Sequence, residues 1–393
     1  MGSKPEVGLC ESCEHARCVR SARGSSFWLC GLHDRDPRFR KYPPLPVHTC
    51  AGHAPRPRDE RDEPRAGEDA VIEHRTLQTR HLRMHVAEQG AGPLVLLLHG
   101  FPESWYSWRH QLPALAAAGY RAVAPDQRGY GDTDKPDPIE AYDVVTLADD
   151  VAALIDALGE RQAVVIGHDW GAPVAWHAAL LHPERVRAVV GMSVPYAGRP
   201  PGSPLARLQQ TFKDIFFYIL YFQEPGVAEA ELQADVRRSL RTFYFSGSGD
   251  APAGSAFSPH PKTAKLLDTM RDPARLPGWL TEADLDYYTE RFERGGFRGP
   301  LNWYRNFDRS WQRTAALAGK KVEQPALFIA GERDPVIAWS QRQLERMPEA
   351  VPGLRESVLL PGCGHWVQQE RPAEVNAALL RFLGQLSADD SAK

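Results

Sequence analysis

The sequence predicts an α/β protein with a mostly parallel sheet covered by helices on both faces. Three observations carry that reading. Short, continuously apolar runs such as Leu94-Val95-Leu96-Leu97-Leu98 recur along the chain, as strands buried on both faces require. Between them stand segments with apolar residues at helical spacing, which is the βαβ rhythm. At 393 residues, 42% hydrophobic and 25% charged, the chain is also large enough for one sizeable core plus additional modules.

From the amino end, residues 1–53 form a cysteine-rich module, because five of the six cysteines fall in the first 50 residues. Clustered cysteines in a chain without an export signal point to metal binding rather than disulfides. Cys10, Cys13, Cys30 and Cys50 make the expected four-thiolate zinc site, with Cys18 and His33 as competing ligands and free thiols as the alternative. Residues 54–69, rich in Pro, Arg, Asp and Glu, offer almost nothing to bury and are expected to be a flexible linker.

Strands are then expected at Leu94 to Leu98, Arg121 to Ala124, Ala163 to Ile166 and Arg187 to Val190. Leu147, Val151, Leu154, Ile155 and Leu158 mark a helix that Gly159 would cap. After Val194 the alternation stops, returning only at Ala326-Leu327-Phe328-Ile329. A gap of that length, rich in aromatics and helix formers, is too long for a loop, so residues 195–312 are expected to be an inserted helical domain over the sheet's carboxyl edge. The core would then comprise residues 70–194 and 313–388.

The chemistry concentrates at strand ends. Gly167-His168-Asp169-Trp170-Gly171 joins a strand to a helix, and small residues on either side of Asp169 allow the sharp turn that lifts a nucleophile above the sheet. An aspartate, with a reference pKa of about 3.9, is ionised at neutral pH and attacks without a base. Its attack on an sp³ carbon leaves an ester, so a general base is needed only for the hydrolysis that follows. Asp334, in Gly331-Glu332-Arg333-Asp334, and His365, in Gly362-Cys363-Gly364-His365-Trp366, stand in the order nucleophile, acid, histidine. The backbone N–H groups of Phe101 and Trp170 are the candidate oxyanion donors, Phe101 lying in His99-Gly100-Phe101-Pro102-Glu103 directly after a strand.

These motifs resemble those of the epoxide hydrolases of the α/β-hydrolase superfamily, over about residues 71 to 385; Gly-Tyr-Gly at 129–131 is similar too. The likeness is particularly close to the vertebrate-type soluble enzymes, whose phosphatase-like domain has no counterpart here. It implies an α/β-hydrolase fold with a helical lid, and epoxides opened to vicinal diols without a cofactor. It further implies that Tyr218 and Tyr304 are the two lid tyrosines that protonate the opening epoxide, with His99, Pro102 and Trp303 at the substrate. Tyr221 rivals Tyr218, and Trp303 could equally be lid packing. Haloalkane dehalogenases share part of these motifs and supply the alternative, with Asp169 again the nucleophile and Trp170 a halide donor.

Composition narrows the partners. A formal charge of -3 gives no field that would gather nucleic acid or an anionic membrane. Residues 1–56 carry nine Lys and Arg against five Asp and Glu, a net of +4 too small to predict nucleic-acid binding. Leu94 to Leu98 and Phe216 to Phe222, the longest apolar runs, fall short of the roughly 20 residues a spanning helix needs. The expectation is a cytoplasmic enzyme, monomeric or homodimeric, acting on a small neutral molecule. In the competing view the cysteine module is the functional part and the hydrolase-like region a ligand sensor.

Overall fold

The structure, a computed structural model, describes residues 9–11, 13–20, 26–44, 46–47, 49–54, 71–252, 254–256 and 259–391. They fall into two units, Met1–Asp69 and Ala70–Lys393. All but one residue of the expected 54–69 linker lies outside the described residues.

In the smaller unit β1 (Ala16–Arg20) and β2 (Ser26–Cys30) form an antiparallel pair with Ala16 opposite Cys30. Cys10 and Cys13 are buried against Ala16, with Trp28 and Val47 packed alongside. Among the described residues no group of three or more His, Cys, Asp or Glu is arranged to hold a metal ion. The zinc site expected from Cys10, Cys13, Cys30 and Cys50 is therefore not supported. Burial, then the neighbouring thiols of Cys13, Cys30 and Cys50, push the Cys10 thiol up.

The larger unit is built on an eight-stranded sheet, from β3 (Glu73–Gln78), β4 (Arg83–Gln89), β5 (Leu94–Leu98), β6 (Arg121–Pro125), β7 (Ala163–His168) and β8 (Val186–Met192) to β9 (Ala326–Gly331) and β10 (Leu354–Leu360). Their order across the sheet is β10-β9-β8-β7-β5-β6-β4-β3. Only the β3–β4 and β4–β6 pairs are antiparallel. The antiparallel β3–β4 hairpin is absent from the sequence expectations because β3 is almost wholly exposed and carries no apolar signal.

Alternate residues of each central strand feed separate cores. Leu94, Leu96 and Leu98 join Leu147, Val151 and Leu154 of α2 (Val144–Ala157) and Trp176 of α3 (Gly171–Leu181). Val95 and Leu97 face the other way, onto Leu112 and Leu115 of α1 (Gln111–Ala117). Asp143 caps the start of α2 by accepting from Val145 and Thr146, and Gly159 beyond its end takes φ 78°. The helix thus ends where its glycine predicts.

Between β8 and β9 the described residues form the α-helices α4 (Pro204–Thr211), α5 (Tyr218–Tyr221), α6 (Val227–Ala234), α7 (Val236–Gly247), α8 (Glu282–Gly295), α9 (Arg298–Arg305) and α10 (Phe307–Arg313). After β9 come α11 (Pro335–Trp339) and α12 (Gln341–Ala350), and after β10 α13 (Val367–Glu370) and α14 (Pro372–Ser391), which covers the second core. No helix among the described residues is long and apolar enough to cross a membrane.

Candidate active site

The carboxyl ends of four strands bring the sequence-predicted residues together. Asp169 follows β7 with φ 49°, in the left-handed region that costs most side chains strain. Its neighbours must be glycines. A Cβ on Gly167 would collide with the Gly171 carbonyl, and one on Gly171 with the carbonyl of Leu98. Gly100, on the facing loop, lies so close to the Asp169 side chain that a Cβ there would strike it.

The Phe101 N–H donates to Asp169 Oδ1 at 2.7 Å. The other carboxylate oxygen, Oδ2, lies 3.5 Å from His365 Nε2. On the far side of the imidazole, Nδ1 stands 3.1 Å from both oxygens of Asp334. Asp334 is itself fixed, accepting from the Val336 N–H at 2.8 Å as the cap of α11. Burial opposes a charge on His365, yet Asp334 and Asp169 together hold its imidazolium well above the ordinary histidine range.

Above this triad stand two phenols from the inserted helices. Tyr304, on α9, is buried, and Tyr218, at the start of α5, is partly so; their ring centroids are 6.0 Å apart. Burial and then the Asp169 carboxylate push both phenols up, so each stays a protonated donor at neutral pH. The rival Tyr221 donates to Glu231 at 2.6 Å. Trp170 packs edge-on against Tyr304 and Trp303, with centroids at 5.1 and 5.8 Å.

Three predicted substrate contacts have structural duties. His99 is fully buried, donating from Nδ1 to the Gly100 carbonyl and accepting the Gln127 N–H at Nε2. Trp303 is buried and donates its indole N–H to the Arg128 carbonyl. Pro102 follows a cis peptide bond, and its carbonyl accepts from Tyr244 at 2.7 Å.

The sequence reading assigned no role to the network beneath the triad. Glu103 Oε2 accepts from the Gly100 N–H and from His168 Nδ1, each at 2.8 Å. Its Oε1 accepts from Gln368 and Gln369. His168 Nε2 donates to the His365 carbonyl at 2.7 Å. The two nitrogens of His168 are thus both engaged, one by the Glu103 carboxylate and one by the His365 carbonyl. Burial would raise Glu103, but His168 and the other donors bring it down to about 2. The signal lay in the motifs themselves: a glutamate and a histidine at the ends of apolar strands need partners once buried. Glu370, which accepts from the N–H groups of Gly249, Gly364 and Trp366, lies outside any motif.

The family model for the alpha/beta hydrolase fold matches residues 93–372. Epoxide hydrolase A of Mycobacterium tuberculosis is 49% identical over 314 residues, covering 79% of this chain and 96% of that protein. Bifunctional epoxide hydrolase 2 of Rattus norvegicus is 42% identical over 77% of this chain, which spans 53% of that longer protein. Among solved structures, an epoxide hydrolase from an endophytic Streptomyces superposes with a TM-score of 0.79 at 49% identity, over 81% of this chain and 97% of that one. One from Vigna radiata gives 0.72 at 39% identity, covering 80% and 98%. Together with the carboxylate, imidazole and carboxylate brought to the strand ends, these matches show that the chain belongs to the epoxide hydrolases of the α/β-hydrolase fold family.

Proposed function

We propose that this enzyme opens epoxides to vicinal diols through a covalent ester on Asp169. The observation that carries the reading is the division of labour within one carboxylate. Oδ1 is held by the Phe101 N–H, while Oδ2 faces His365 and is the oxygen free to attack carbon. As the carbon–oxygen bond of the epoxide breaks, the leaving alkoxide takes a proton from Tyr218 or Tyr304. Neutral phenols suit an oxygen leaving group, where a departing halide needs no proton. That difference, and the names of the relatives, set the dehalogenase reading aside.

In the second step His365 removes a proton from water, and the hydroxide adds to Cγ of the ester. The oxyanion forms on Oδ1, already at the Phe101 N–H, with the Trp170 N–H as the second donor. Collapse releases the diol. Asp334 holds the imidazole tautomer and balances its charge. The enzymes of this family need no cofactor for the reaction.

In this reading residues 195–312 are a lid over a core of 70–194 and 313–388, and Trp303 backs Trp170 rather than touching substrate. Residues 1–53 form a separate module without a catalytic part. A cytoplasmic setting is part of the reading and is checked by cell fractionation.

His365→Gln tests the mechanism. The variant should stall after ester formation, before the first turnover is complete, and gain the mass of one substrate on Asp169, with kcat reduced at least about 1,000-fold. Hydrolysis by the wild type in heavy-oxygen water should place the first label in the Asp169 carboxylate. Label passing directly into the diol in a single turnover would refute the ester.

A further inference from the structure

Trp339 is the last residue of α11, a five-residue helix whose first turn Asp334 caps. Pro335 at the first position sets the backbone for that start, and the Ala338 N–H returns to the Asp334 carbonyl at 3.1 Å. Five helical residues rise only about 7.5 Å, so Asp334 and the indole stand at the two ends of one short piece. The Trp339 side chain is not buried, at 42% exposed. Where it meets the protein it meets aromatic rings: the centroids lie 5.3 Å from Phe217 and 6.4 Å from Tyr218, the second pair inclined by only 21°. Both separations fall within the range of about 4.5–7 Å over which aromatic pairs attract.

Tyr218 needs such support. It begins α5, a single turn of four residues, and Phe217 before it is extended and gives the helix no side-chain cap. One turn has too few hydrogen bonds to hold its own shape in water. The place of the phenol is therefore set by what its ring touches. Within the insertion it touches Phe222 at 5.6 Å and Tyr304 at 6.0 Å, both of which also meet the Phe101 ring. Trp339 reaches the same phenol ring from α11, outside the insertion. The indole also lines a cavity of about 360 Å³ with Ser246, Ser248, Arg333, Pro335 and Ala338, so removing it would extend that cavity toward Tyr218.

We infer that Trp339 is a positioning residue for the first half-reaction, its indole holding the Tyr218 phenol where it can protonate the opening epoxide. The inference rests on the reading of Tyr218 as a proton donor. In that step Asp169 Oδ2 bonds to an epoxide carbon, the carbon–oxygen bond breaks with its electrons passing to oxygen, and that oxygen takes the Tyr218 proton. The proton that water later leaves on His365 restores the phenol. Trp339 itself gives and takes no proton. It sets where the phenol stands, so its effect falls on ester formation and leaves ester hydrolysis alone.

Trp339→Ala removes the indole, and Trp339→Phe keeps a ring in its place. Rapid-quench mass spectrometry of the full chain with styrene oxide should show Trp339→Ala forming ester about tenfold more slowly, the scale of a modest misplacement, while the ester decays at the wild-type rate. Trp339→Phe should restore most of the lost rate. Added to Tyr218→Phe, Trp339→Ala should slow ester formation no further, since the two residues act as one unit. Should Trp339→Ala not fold, Trp339→Leu, which keeps bulk without a ring face, carries the same expectations. Ester formation at the wild-type rate would overturn the inference. So would equal slowing of both steps, which marks displacement of Asp334 at the other end of α11, or the same further loss in the Tyr218→Phe background, which marks an action independent of the phenol. If Tyr218→Phe alone forms ester at the wild-type rate, the proton-donor reading has failed, a separate result.

Discussion

Glu103 and His168 face one another at 2.8 Å with neither side chain reached by solvent. The pair ties together three loops that the reaction needs. Glu103 receives the Gly100 N–H beside the oxyanion donor, while His168 precedes the nucleophile and grips the carbonyl of His365.

Removing either member leaves the other buried without its hydrogen-bond partner, in a medium that cannot solvate it. Glu103→Gln should lower stability by about 3–5 kcal/mol. A denaturant titration reads it directly. The double variant Glu103→Gln with His168→Gln should lose less than the sum of the single losses, since the two residues form one unit. Additive losses would mean that the pair is not coupled.

In the proposed mechanism Tyr218 and Tyr304 act on ester formation. Tyr304→Phe and Tyr218→Phe should each slow ester formation about 100-fold, the scale of a lost general acid, while an ester once formed decays normally. Stopped-flow tryptophan fluorescence would follow both phases, because Trp170 packs against Tyr304 beside the nucleophile. Tyr221→Phe, which only loses its bond to Glu231, should leave the chemistry intact.

Acidity enters through His365 and Glu103 with opposite signs. His365 is held up in part by the Asp169 charge, which ester formation removes. The imidazole should therefore lose its proton more readily in the intermediate than in the free enzyme. Under conditions where hydrolysis limits turnover, kcat should rise with pH through this lowered value. For stability, the raised His365 contributes fully below the unfolded histidine range of about 6.5. That contribution is lost as pH rises through its folded value. Glu103 is depressed from 4.5 to about 2, so its contribution is present above 4.5 and is lost as pH falls toward 2. Thermal melts at closely spaced pH values would show a decline across that acid window, and Glu103→Gln should flatten it.

The nucleophile turn has no spare room. Gly171→Ala would drive a methyl group into the Leu98 carbonyl, a backbone atom that cannot yield cheaply. Overpacking of this kind costs about 1–3 kcal/mol and should also displace Asp169 enough to slow both half-reactions. Gly159→Ala, where nothing lies within 4 Å of the added carbon, meets only its positive φ and should leave activity unchanged. Comparing the two separates crowding from backbone strain.

Much of this was legible in the residues. The central strands announced themselves because burial on both faces requires unbroken apolar runs, and the nucleophile because its turn demands glycines at fixed offsets. The hairpin of β3 and β4 was not, since β3 alternates nothing and is exposed along most of its length. His99 and Trp303 were placed at the substrate because their motif is, yet every polar atom they own is spent on the backbone. A hydrogen-bond inventory of that kind exists only in three dimensions. The cysteine spacing suggested a metal site that the described residues do not support.

The base-bearing loop is bolted to the end of α7. The His365 N–H donates to Gly247, the Trp366 indole to Tyr244, and Glu370 gathers the N–H groups of Gly249 and Gly364. From the same helix, Tyr244 reaches across to Pro102 beside the oxyanion donor. Whatever admits a substrate cannot prise this end apart without dismantling the machinery that processes it. The start of α5 is held from outside the insertion as well: Phe217 and Tyr218 both pack against Trp339 of α11, while Ser203 and Leu205 at the start of α4 bond to Asp308.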